Sequence, residues 1–136
     1  MLRLNNGLVL ILSLVLIGCA SSIDNQEAMA RYQFPELESV SSINNWKLDG
    51  WEVIDQQSLI IQTGPSQFYL FVLSRRHSQL RFAESILVTS TAGRVKVNFD
   101  TVSTPRDPML KVPIAAMYKL QGREAVAAIK QQILAE

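Results

Sequence analysis

A single α+β domain, built of about five or six largely antiparallel strands with one C-terminal helix packed on them, is the fold the sequence predicts. Three observations carry that expectation. Between Phe34 and Leu120, apolar residues come in short runs separated by turn signals, which is the pattern of strands. From Arg123 to Ala135, Val126, Ile129 and Ile133 recur at helical spacing in a segment rich in helix formers. A chain of 136 residues has room for one core but not comfortably for two.

Ser58–Gln62 and Gln67–Leu73 flank Thr63-Gly64-Pro65-Ser66, whose Gly-Pro pair marks a turn, so the two runs are expected to pair antiparallel. The unbroken run Phe68 to Leu73 suits a central strand covered on both faces, although periodicity alone also allows a buried helical turn. After the polar stretch Ser74–Ser78, the positions of Leu80, Phe82 and Ala83 predict a short helical turn. Ser85–Ser90 and Arg94–Val102 form a second hairpin through Thr91-Ala92-Gly93, with Gly93 available for a positive φ. In its second arm Val95, Val97 and Phe99 face one side, as in a strand half buried against a core, and Arg94, Lys96 and Asn98 the other. Val102 falls out of phase, predicting a bulge or strand end near Asp100. Beyond the loop Thr104–Pro108, alternation from Leu110 to Leu120 predicts a last strand, with Pro113 placing it at an edge or breaking it. Gly122 then separates this strand from the helix.

Ahead of the domain, Leu8–Ile17 is apolar apart from Ser13. Such a run is half the roughly 20 residues that span a bilayer, but suits the core of a secretion signal. Arg3 precedes it and Leu16-Ile17-Gly18-Cys19 follows, which resembles the lipobox of bacterial lipoprotein precursors. That resemblance implies a signal peptide over 1–18, cleavage between Gly18 and Cys19, and a diacylglycerol thioether and N-acyl chain on Cys19. Ala20, where an aspartate would retain the protein at the inner membrane, implies the inner leaflet of the outer membrane, facing the periplasm. Residues 19–33 read as a lipidated N-terminus and polar spacer with a helical turn at Glu27–Arg31, and 34–136 as the domain.

Composition narrows the function classes. Cys19 is the only cysteine, so lipidation would leave no thiol for a disulfide, a nucleophile or a metal. The 13 basic and 12 acidic residues nearly cancel, giving no field that would steer nucleic acid. Neither cofactor nor metal is expected: the glycines form no phosphate-binding fingerprint, and no cluster has metal-ligand spacing. His77, the only histidine, could act as a general base with Ser74 or Ser78 as nucleophile and Asp55 or Asp100 as orienting carboxylate. No strained nucleophile turn accompanies them, and a polar surface turn explains Ser74–Ser78 more simply. Arg75, Arg76 and Arg81, with Arg94 and Lys96 as possible neighbours, could bind anionic lipid or polysaccharide, though solvated turn charges are commoner. Trp46 and Trp51 suit core packing better than sugar stacking.

Several short patterns resemble an uncharacterised family of proteobacterial lipoproteins of the DUF6491 type. They are Trp51-Glu-Val-Ile-Asp55 before Ser58-Leu-Ile-Ile61, Phe68-Tyr-Leu-Phe-Val-Leu73, Leu80 with Ala83 and Ile86, Asp100 with Val102, and Ile114 with Met117-Tyr-Lys-Leu120. The likeness covers roughly Ile43 to Ile133 and implies the fold without an activity. It also implies a disulfide in many members between positions held here by His77 and Val112, which should therefore lie near one another without a bridge. The functional expectation is a lipid-anchored, non-enzymatic binding or assembly module with an envelope protein as a possible partner. The alternatives are a periplasmic hydrolase using His77 and an arginine patch for anionic lipid or polysaccharide.

Overall fold

The computed structural model describes residues 26–135. The chain divides into two units, Met1–Ala30 and Arg31–Glu136. In the first, residues 26–30 are helical, close to the turn expected at Glu27–Arg31. The apolar run Leu8–Ile17 and the Gly18–Cys19 pair lie outside the described residues.

The second unit is a small α+β body. Its strands are β1 (Glu38–Val40), β2 (Ser42–Ile43), β3 (Gly50–Val53), β4 (Ser58–Gly64), β5 (Gln67–Leu73), β6 (Leu87–Val88), β7 (Val95–Lys96), β8 (Thr101–Thr104) and β9 (Asp107–Leu120), followed by helix α1 (Gly122–Leu134). Six strands run in the order β3-β4-β5-β9-β8-β6, β1 joins the sheet on β9, and β2 pairs separately with β7. Every pairing is antiparallel.

β5 is a central strand between β4 and β9, which accounts for its apolar character on both faces. On one face Phe71 and Leu73 join Leu59, Ile61, Ile114 and Met117 in the main core, closed by Ile43, Val95, Leu80 and Ile86. On the other, Phe68 and Leu70 lie opposite Leu120 and Tyr118 in the ladder, and α1 packs over β5 and β9, burying Ile129 and Ile133. Trp46 and Trp51 are half-buried against the main core, Trp46 stacked on Phe71 at 5.9 Å. Gly122 has φ 85°, which lets the chain turn from β9 into α1 at a position where a side chain would be strained.

Two expectations from the sequence are corrected. The arm Arg94–Val102 does break before Asp100, as its phase implied, but earlier and more fully than a bulge: β7 ends at Lys96 and pairs with β2, the chain turns through residues 97–100 with Asn98 at φ 63°, and β8 starts at Thr101 and pairs with β6. Val95 is buried but Phe99 is 66% exposed, so the alternation fails where the turn begins. Its physical cause is Asp100, whose carboxylate accepts the Lys96 N–H at 2.7 Å while its own N–H donates to the Lys96 carbonyl at 3.0 Å. The preceding connection is a two-residue turn with Ala92 at φ 52° and Gly93 at φ 69°, the geometry of a type I′ hairpin. The second correction concerns Pro113, which neither lies on an edge strand nor ends one. β9 pairs with β5 along one edge over Ile114–Leu120, and with β8 and then β1 along the other. Pro113 falls just past the last β5 pair, its carbonyl accepting the Ser74 N–H at 2.9 Å, so its missing N–H interrupts no pair of that ladder.

Candidate functional site

The connection from β3 to β4 is a tight turn closed by Asp55. One carboxylate oxygen accepts the Gln57 N–H and the Ser58 hydroxyl, both at 2.8 Å, mimicking a backbone turn, and the other accepts the Tyr32 hydroxyl at 2.7 Å. Tyr32 is 3% exposed, and its carbonyl accepts the Tyr118 hydroxyl at 3.0 Å. Together with Phe34, edge-on to Tyr118, it fastens the start of the body to the outer face of the sheet. The spacer assigned from sequence to residues 19–33 thus includes a residue that is structurally part of the body.

Burial, and then the Asp55 hydrogen bond and charge, hold the Tyr32 hydroxyl well above the ordinary tyrosine range, with Arg31 and Arg76 acting weakly the other way. A raised value means stability that is complete below about pH 10, where the unfolded tyrosine titrates, and is lost as pH rises through the folded-state value. Tyr32→Phe is therefore expected to be less stable than the parent at pH 8, with the gap narrowing by about 1 kcal/mol per pH unit above pH 10. Urea denaturation across that range checks it, and a gap independent of pH would refute the coupling.

Beside this turn lies a depression of about 230 Å³. Its wall carries Arg31, Arg76 and Arg81, together with Tyr32, Asp55, Gln56, Gln57 and the last residues of α1, Ile133 and Leu134. The guanidinium of Arg31 lies over the Tyr32 ring at 5.6 Å. Of the three arginines singled out in the sequence, the structure brings Arg76 and Arg81 together and sends Arg75 away, its guanidinium reaching the Lys111 carbonyl at 3.5 Å. Arg94 and Lys96 do not line this depression. Sequence reading missed Arg31, Gln56, Gln57, Ile133 and Leu134. The available signal was the pair Tyr32 and Phe34, aromatic side chains in an otherwise polar stretch.

His77 positions this site without lining it. It is completely buried, contrary to a surface turn. Its N–H donates to the Gln56 carbonyl at 2.8 Å, and its carbonyl accepts from Leu80 at 3.1 Å, opening the 3-10 turn Leu80–Phe82. These two bonds tie the segment that carries Arg76 and Arg81 to the Asp55 turn. The ring accepts the Gln79 N–H on Nδ1 at 3.3 Å, and Nε2 has no hydrogen-bond partner among the described residues. Neither nitrogen therefore meets Ser74, Ser78, Asp55 or Asp100. Asp100 is also buried and accepts the Thr89 hydroxyl and the Lys96 N–H, each at 2.7 Å. The stretches bearing His77 and Val112 run side by side, Ser74 bonded to Pro113 and Arg75 to Lys111, and both residues are fully buried.

A second depression, about 310 Å³, lies between α1 and the β3–β4 pair, with Trp51, Phe68 and Val126 among its apolar lining and a Lys130–Glu52 ion pair beside it. Among the described residues no three His, Cys, Asp or Glu side chains gather as metal ligands would, and no helix is long and apolar enough to cross a membrane. The family model described as a family of unknown function, DUF6491, matches residues 2–136. No curated protein and no solved structure matches the chain.

Proposed function

We propose that this chain, which belongs to the DUF6491 family, is a lipid-anchored, periplasm-facing envelope protein whose body binds and does not transform its ligand. The family description carries no activity to transfer, so the reading stands on the residues themselves. The observation that carries it is the arginine-walled depression, which offers exposed, charged hydrogen-bond donors beside an apolar lip. By contrast, the polar groups best suited to acid–base work are engaged in shaping backbone: Asp55 closes a turn, Asp100 fixes another, and the buried ring of His77 bonds to neither carboxylate.

The anchoring half of the proposal rests on Leu16-Ile17-Gly18-Cys19 after a short apolar run. Two or more acyl chains on Cys19 would hold the body at a membrane far longer than a single chain. Mass spectrometry of the protein isolated from bacterial envelopes is expected to find a mature chain starting at Cys19, carrying diacylglycerol on sulfur and an acyl group on nitrogen. Cys19→Ala is expected to remain uncleaved and unmodified. A parent chain that still begins at Met1, or that begins beyond Cys19, would refute the tether.

A further inference from the structure

We infer that the depression walled by Arg76 and Arg81 docks the phosphate headgroups of an anionic phospholipid membrane, so that the body lies on the bilayer to which it is tethered with this face toward the lipid. The inference rests on the proposed tether for the source of the headgroups and on the geometry of the body for everything else.

Charge is the first argument. Among the described residues, Arg76 and Arg81 share the depression with one carboxylate, Asp55, both of whose oxygens already accept hydrogen bonds. Arg76 and Arg81 are exposed and form no hydrogen bond or ion pair with any described residue. The C-terminal end of α1 adds an opposing partial charge of about half an elementary unit, less than the charge of either Arg76 or Arg81. Planar guanidinium forks match the oxygens of a phosphate group.

An apolar neighbour decides between a soluble phosphate and a membrane. Leu134, on the wall of the depression, is 62% exposed. A free anion gains nothing from such a group, whereas at a bilayer surface arginines meet the headgroups while leucine enters the acyl boundary. The tether supplies the last argument. Arg31, on the same wall, comes twelve residues after Cys19, a reach of no more than about 40 Å even if fully extended. The chain thus enters the body at the rim of the cationic depression, and an acyl anchor at Cys19 would hold that rim close to the headgroups.

The test uses the full mature chain carrying Cys19→Ser, so that retention on vesicles owes nothing to acyl chains, and phosphatidylcholine vesicles with or without phosphatidylglycerol. Binding is expected only to the anionic vesicles and is expected to weaken as salt is raised. Arg76→Gln with Arg81→Gln should reduce it by about 30-fold, the share of two basic residues at an anionic surface. Arg94→Gln with Arg123→Gln removes the same charge elsewhere and should change it by less than about 3-fold. Equal losses in the two double variants, binding to neutral vesicles alone, or binding of inorganic phosphate without retention on vesicles would each overturn the inference. Because this assay does not depend on Cys19, a missing tether and a missing headgroup site are separate results.

Discussion

Asp100→Ala is expected to lower the unfolding free energy by about 3–4 kcal/mol, because two hydrogen bonds to a buried carboxylate, each contributing about 1.5–3 kcal/mol, disappear together. The Lys96 N–H and the Thr89 hydroxyl both lose their 2.7 Å partner. The same residue's backbone carbonyl accepts the Ile114 N–H at 2.9 Å and its N–H donates to Lys96, bonds that an alanine keeps. Asp100 thereby joins the turn after β7 to the middle of β9. Asp100→Asn, which keeps an oxygen for Lys96 and an NH₂ that can donate to Thr89, is expected to cost only about 1–1.5 kcal/mol, the scale of neutral hydrogen bonds. Urea denaturation of the two variants separates these outcomes. If Asp100→Ala were as stable as the parent, the carboxylate would not be the organiser of this turn, and its role as an orienting group in catalysis would return.

The same residue explains where the sequence stopped being legible. Alternation through Val95, Val97 and Phe99 is the ordinary signature of a half-buried strand. The phase slip at Val102 marks a strand end near Asp100, but nothing in the alternation reveals that this carboxylate captures the Lys96 N–H and ends β7 four residues earlier. Pro113 misleads for a related reason. A proline excludes a central position only if the ladder on its N–H side runs past it, and here β5 ends one residue away. The hairpin β4–β5 and helix α1 were legible because their signals are local: a Gly-Pro turn between apolar runs, and Ile129 and Ile133 four residues apart.

The candidate site was legible only in part, because it is assembled from residues distant in sequence. Arg76 and Arg81 stand out in a basic stretch, but nothing in spacing distinguishes Arg76 from Arg75, which the fold directs to opposite surroundings. Arg31 belongs by composition to a polar spacer, and it enters the site because Tyr32, buried beside it, is bonded to Asp55. The wall from Ile133 and Leu134 depends on how far α1 extends over the sheet, a tertiary fact.

His77 separates the binding reading from the hydrolytic one most sharply. His77→Ala is expected to destabilise the body by about 2–4 kcal/mol, the range for emptying a filled position in a packed core. His77→Leu is expected to stay within about 1 kcal/mol of the parent, because it fills a similar volume and removes a buried donor that has no partner among the described residues. It does leave the Gln79 N–H without its 3.3 Å acceptor, but that group is only partly buried. The backbone bonds from His77 to Gln56 and Leu80 survive in both variants, so the segment carrying Arg76 and Arg81 should keep its place. Folded His77→Leu should therefore bind anionic vesicles within about 3-fold of the parent, since no charge at the surface changes. A hydrolase built on this imidazole predicts no such difference, with Leu as damaging to activity as Ala whatever its stability. Denaturation midpoints and vesicle retention of the two variants, measured side by side, decide whether the ring is there for its volume or for its nitrogen atoms.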